Sequence, residues 1–168
     1  MSSLAFCSRI VHDCTMFRES EKQLTAGQKL ARGVCRHLNH LNFASLTEFV
    51  PTRGLRADVM AIGPKGEFWI IECKSGRADF NSDHKWQGYL EWCDRFFWAV
   101  DTDFPLELLP VETGLFLADS HDAEIIRTGK EMPLAATRRK SLSLKFARTA
   151  ANKLQGILDP GVTALRVL

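Results

Sequence analysis

At 168 residues with 45% hydrophobic composition, the chain is long enough to bury the core of one domain and short for two. Five cysteines at positions 7, 14, 35, 73 and 93 form no C-x-x-C pair, which argues against a disulfide framework or a zinc knuckle and makes a reducing, cytoplasmic compartment the expectation. A net charge of +2 says little about partners, and the early apolar residues are broken by Arg9, His12 and Asp13, so neither a signal peptide nor a membrane span is expected.

Residues 1–19 show no period and read as a loosely ordered lead-in, with residues 20–168 as the single domain. Ser20 and Gln23 have capping-box spacing, and Leu24, Gly27, Ala31, Val34, Cys35, Leu38 and Leu41 recur at helical spacing, predicting a first helix from about Glu21 to Leu41. Three strand-like runs follow, Phe43 to Val50, Leu55 to Ile62 and Glu67 to Lys74. Turn compositions separate them, Pro51-Thr52-Arg53-Gly54 and Gly63-Pro64-Lys65-Gly66, so an antiparallel meander is expected. Caps among Asn81, Ser82 and Asp83, then Trp86, Tyr89, Leu90 and Cys93 at i, i+3, i+4 and i+7, predict a second helix. Phe96 to Val100 is a continuous apolar run of the kind that fills a strand buried on both faces. The second helix is then a crossover between the third and fourth strands. Weaker strands at Gly114 to Ala118 and Glu124 to Arg127 precede a last helix around Ser141 to Leu158, with Leu142, Phe146, Ala150, Leu154 and Ile157 on one side. The order αβββαβ followed by ββα describes an α/β protein with a mixed sheet flanked by helices.

Charge is unevenly spread. From Glu91 to Glu131 ten acids face three bases, and from Met132 to Leu168 seven bases face one acid. A basic face for phosphates and a plain solvated face are both compatible with that segment.

The chemistry-bearing segment is Asp58 and, fourteen residues on, Glu72-Cys73-Lys74. Alternation along a strand puts Glu72 and Lys74 on one face and Cys73 on the other. Glu-x-Lys alone is a weak signal, expected roughly once per two chains of this length from average composition. The turn strengthens it. Pro64 and Lys65 suit the first two positions of a three-residue loop and Gly66 its left-handed third, so Gly63 faces Glu67 and Asp58 falls opposite Glu72. Opposed Cβ atoms lie about 4.5–5.5 Å apart, so both carboxylates can reach one cation with oxygen ligands at about 2.1 Å. Two neighbouring carboxylates raise each other's pKa unless a cation or proton stands between them. A magnesium ion would relieve that repulsion and supply what phosphodiester hydrolysis needs, with Lys74 orienting water or stabilising phosphate charge. The bland alternative is a salt-bridged strand end, Glu72 with Lys74.

These residues resemble the PD-(D/E)XK nuclease superfamily, whose restriction-endonuclease-like core is an αβββαβ unit with its acidic pair on strands two and three. The runs from Glu48 to Met60, Ile71 to Ser75 and Lys85 to Phe97 are similar to the MmcB-type family of bacterial DNA repair proteins, the likeness covering about Glu21 to Leu158. The resemblance implies Mg²⁺- or Mn²⁺-dependent hydrolysis of DNA in repair, with Asp58 and Glu72 as metal ligands, the backbone carbonyl of Cys73 as a third, and Lys74 as the catalytic lysine. A further polar residue is often contributed after Glu-x-Lys; Gln87 is the candidate, or else a surface glutamine. Glu48 is either another acid near the metal or an edge-strand charge. Lys85, Arg53, Arg138, Arg139 and Lys140 are the expected DNA contacts. An acid on the first helix would have to be Glu19 or Glu21, and neither placement fits well. The resemblance allows a homodimer and other repair proteins as partners, and a non-catalytic DNA- or protein-binding component of a repair assembly is the alternative from a different class. His37 and His40 lack acidic or thiol partners at metal spacing and read as structural. Trp86, Trp92 and Trp98 stack on bases in one reading and pack the core in the other; Asp79 and Asp83 read as turn or cap residues.

Overall fold

The computed structural model describes residues 24–82 and 85–159. The first helix, α1 (Ala26–His40), is capped by Thr25, whose Oγ1 accepts from the Gln28 N–H at 3.3 Å while Gln28 Oε1 accepts from the Thr25 N–H at 3.0 Å. This is a capping box, displaced from the expected Ser20 and Gln23, which lie outside the described residues. Helix α1 is followed by β1 (Ala44–Phe49), β2 (Ala57–Ile62) and β3 (Phe68–Cys73), an antiparallel meander. A short helix α2 (Arg77–Asn81) and a 3-10 helix (Trp86–Trp92) lead to β4 (Arg95–Val100), then β5 (Gly114–Ala118), β6 (Ala123–Arg127) and the long α3 (Ala136–Leu158).

The six strands lie in sequence order, with β3–β4 and β4–β5 parallel and β5–β6 antiparallel. Both faces of the central strands are covered, which is why β3 and β4 read as almost unbroken apolar runs. On one face α1 lays Leu30, Ala31, Val34 and Leu38 against Val59, Ala61, Ile71, Phe97 and Phe116. On the other, Leu142 and Phe146 of α3 join Phe49, Met60, Phe68, Ile70 and Trp98. The ring of Phe146 sits 5.6 Å from that of Phe49 and 6.0 Å from that of Phe68. Gly33 lets α1 meet the β5–β6 turn, because a Cβ there would run into the carbonyls of Asp119 and Asp122.

Two helices differ from the sequence expectation. The crossover is not one α-helix, since Trp86, Tyr89 and Trp92 recur every third residue and three residues per turn brings all three into line, as a 3-10 helix does. The Tyr89 hydroxyl pins this piece by donating to the Arg56 carbonyl at 2.8 Å. Helix α3 begins at Ala136 rather than Ser141, and only the first half of its expected stripe is covered. Leu142 and Phe146 are buried, whereas Leu154 and Ile157 remain 55% and 75% exposed. Among the described residues no helix is long and apolar enough to cross a membrane.

Candidate active site

The β2–β3 hairpin has the register that its turn implies. Gly63 N–H donates to the Glu67 carbonyl at 2.8 Å, Gly66 adopts φ +79°, and Val59 pairs with Ile71. One step further, where Asp58 meets Glu72, the regular pairing ends and the two carboxylates take its place. Asp58 Oδ2 accepts from the Cys73 N–H at 2.8 Å, and Glu72 Oε1 accepts from the Asp58 N–H at 3.3 Å. Side chain and backbone thus lock the two acids to each other's strands.

Glu72 and Lys74 are 4% and 7% exposed, with Lys74 Nζ 3.8 Å from Glu72 Oε2 and 5.7 Å from the centre of the Trp98 ring. A buried ammonium needs such neighbours, because taking an unpaired charge out of water is costly. Burial raises the Asp58 carboxyl above its ordinary value of 3.8, against the Cys73 N–H and the Lys74 charge, with Glu48 and Asp79 adding repulsion. The Cys73 thiol is buried on the α1 side and pushed well up, first by burial and then by Asp58 and Glu72, so it packs as an apolar group. Tyr89 lies beside Glu72, and burial followed by that charge pushes its phenol up. Its spacing reads only as part of an apolar stripe, yet it is the chain's single tyrosine, a hydroxyl where phenylalanine would have packed.

Glu48 sits opposite Asp58 at φ +55°, between the paired positions Thr47–Val59 and Phe49–Ala57. Non-glycine residues meet that left-handed region at a cost of about 1–2 kcal/mol. Its carboxylate takes Arg56 Nε at 2.8 Å. Gln87 is exposed on the 3-10 helix, Lys85 immediately before it is exposed too, and Arg53 is exposed in the β1–β2 turn. The basic cluster heading α3 is largely engaged in the fold. Arg139 forms a two-pronged pair with Asp94 at 2.8 and 2.6 Å and reaches the Gly66 carbonyl. Arg138 donates to the Glu91 carbonyl at 2.6 Å and covers the Trp92 ring at 4.9 Å; Lys140 is exposed.

Trp98 is buried and Trp86 and Trp92 are packed against the same core. His37 lies edge-on to Phe116 and 3.8 Å from Asp122, while His40 faces a cleft beside α1. Asp79 accepts from the Ser75 N–H at 3.1 Å, as a turn residue does. Asp83, Glu19 and Glu21 lie outside the described residues. Among the described residues no group of three or more His, Cys, Asp or Glu side chains is arranged to hold a metal ion; of the expected donors, Asp58 and Glu72 stand together with the Cys73 carbonyl, and Glu48 is paired with Arg56.

The profile of a family described as DNA repair protein MmcB-like matches residues 12–161. A solved structure, the SPO1766 protein of unknown function from Silicibacter pomeroyi, is 61% identical, with a TM-score of 0.83 over 86% of this chain and 99% of that one. No curated protein matches.

Proposed function

Since the chain belongs to the MmcB-like family of DNA repair proteins, we propose that it is a PD-(D/E)XK-type nuclease that hydrolyses DNA phosphodiester bonds with Mg²⁺ or Mn²⁺. The observation that carries this reading is the end of the β2–β3 hairpin, where Asp58 and Glu72 replace the backbone rungs and Lys74 Nζ stands 3.8 Å from Glu72. The donor set fits a hard cation, being two carboxylates and the Cys73 carbonyl, all oxygen. Asp58 fits it also, because burial disfavours the charged carboxylate and a cation would restore it. When bound, the ion supplies a Lewis acid and a water of lowered pKa.

The chain's own residues do the rest. Lys74, held between Glu72 and the Trp98 ring, places a fixed positive charge where phosphate oxygens gain negative charge. Tyr89 braces the wall behind Glu72 through Arg56. Exposed Gln87, Lys85 and Arg53 are the site's proposed polar and phosphate contacts, and Glu48, drawn off by Arg56, is the weakest ligand candidate.

A second reading has its own support. Glu72 already has Lys74 and the Asp58 N–H as partners, and Asp58 already accepts from Cys73, an arrangement that also serves a non-catalytic DNA- or protein-binding component of a repair assembly. Cleavage of single-stranded, duplex and branched DNA with Mg²⁺ or Mn²⁺ separates the two. Glu72→Ala and Lys74→Ala are each expected to abolish cleavage seen in the wild type. An inert wild type, or variants as active as it, overturns catalysis in favour of the second reading.

A further inference from the structure

We propose that the cleft between α1 and the β1–β2 edge seats a single DNA strand, with Arg32 and Arg36 of α1 holding its phosphates. The inference deepens the nuclease reading and rests on it for the nature of the ligand. The cleft measures about 680 Å³; Arg32, Arg36 and His40 line one side, and Thr47, Glu48 and Asp58 the other. It therefore runs up to the first acid of the candidate site.

Charge gives the cleft its polarity. Helix α1 carries Lys29, Arg32 and Arg36 and no aspartate or glutamate. Arg32 and Arg36 are four residues apart, so they share a face with a rise of about 6 Å between them, a step suited to successive phosphates of an extended strand. Arg36 uses one donor on the His121 carbonyl at 3.2 Å, which fixes a guanidinium that has five. Across the cleft the Glu48 charge is offset by Arg56 at 2.8 Å, which weakens repulsion of a polyanion there.

The main rival surface is partly engaged in the fold. Along α3, Arg139 is bound to Asp94, Arg138 to Glu91, Lys145 to the Pro51 carbonyl and Lys153 to the Thr47 carbonyl. Lys140 and Arg148 stay exposed on the same helix, but no described residue of α3 lines the cleft, whose bases Arg32, Arg36 and His40 all belong to α1. Size selects the form of DNA. The volume is that of a small-ligand pocket, roughly 300–1,000 Å³, the scale of a few nucleotides of one strand rather than of a duplex.

The test is fluorescence anisotropy of a labelled single-stranded oligonucleotide with the full chain in EDTA, where cleavage does not intervene, across a range of salt. Each phosphate contact to a single strand contributes about 0.7 to the slope of log affinity against log salt. Arg32→Ala/Arg36→Ala is expected to lower that slope by about 1.4 and affinity at least about tenfold, while Arg32→Lys/Arg36→Lys keeps the slope and Lys153→Ala leaves it unchanged. Should the double alanine variant fail to fold by circular dichroism, Arg32→Gln and Arg36→Gln each carry the same test with a drop of about 0.7. An unchanged slope, an equal drop in Lys153→Ala, or a wild type that binds duplex but no single strand overturns the proposal. A parallel cleavage assay of the wild type with Mg²⁺ keeps the outcomes distinct: strand binding in EDTA with no cleavage in Mg²⁺ sinks the nuclease reading alone, and cleavage with unchanged slopes sinks the cleft alone.

Discussion

Replacing Asp94 with alanine removes the clip that fastens α3 to the sheet. Asp94 is 4% exposed and accepts four hydrogen bonds, from the Phe68 N–H at 2.7 Å, the Leu134 N–H at 2.9 Å and both prongs of Arg139 at 2.8 and 2.6 Å. Burial works to raise its carboxyl pKa, but Arg139 and the two backbone N–H groups outweigh it and hold the carboxyl below its ordinary value. Breaking a buried pair from one side typically costs about 3–5 kcal/mol. Arg139 retains 31% exposure and water recovers part of its charge, so Asp94→Ala is expected near about 3 kcal/mol. Asp94→Asn, which keeps one acceptor, is expected to lose about 1.5–3 kcal/mol, as for hydrogen bonds to a charged group. Urea unfolding at pH 7 measures both, and a double-mutant cycle with Arg139→Met is expected to show coupling of about 1–3 kcal/mol. The folded pKa lies below the unfolded one, so this stability is present above about pH 4 and is lost as pH falls through the folded value. Asp94→Ala is therefore expected to flatten the acid limb of the stability curve. A loss under about 0.5 kcal/mol, additive single variants, or an unchanged acid limb would refute the clip.

Asp58 has the opposite sign. Its raised carboxyl means the folded chain holds the proton more tightly, so its contribution is present below its ordinary value of 3.8 and declines as pH rises through the folded value. Asp58→Asn is expected to gain on the metal-free wild type from pH 4 upward by at most about 1.4 kcal/mol per pH unit, and parallel denaturation curves would contradict this. Gly33→Ala is expected to destabilise by about 1–3 kcal/mol and to displace α1, because its Cβ meets two backbone carbonyls that have little room to move; thermal melting reads it, and an unchanged Tm removes the close approach from the account. Phe146→Ala is expected to cost about 3–5 kcal/mol. Ile157→Ala, on the exposed end of the same helix, is expected within about 0.5 kcal/mol, and urea midpoints that rank the two equally would mean the far half of α3 is covered after all.

Local chemistry makes much of the site readable in the sequence itself. Gly66 at φ +79° is a short-range constraint, and because side chains alternate with a period of two, one turn sets the face of every residue in the hairpin. That is why Asp58, Glu72 and Lys74 could be brought together from sequence, and why α1, with its strong apolar period, was placed correctly apart from its start. The likeness of short runs to the MmcB-type family pointed to the family that the profile match over residues 12–161 then showed.

Long-range partners decided the rest. Arg138, Arg139 and Lys140 look like a phosphate-binding cluster until Asp94, 45 residues away from Arg139, is seen to accept both prongs of its guanidinium. Tyr89 looks like one more apolar stripe residue until its hydroxyl meets Arg56, 33 residues upstream. The far end of α3 has an amphipathic period, yet its apolar stripe is buried only as far as Phe146, and a helix can carry its period beyond the surface that buries it. Arg32 and Arg36 carry no motif; only the fold brings them to the cleft that Thr47, Glu48 and Asp58 also line. Turn geometry and periodicity act over a few residues and are written in order along the chain, whereas the choice of partner for a charge or hydroxyl depends on which distant segment packing brings within about 3 Å.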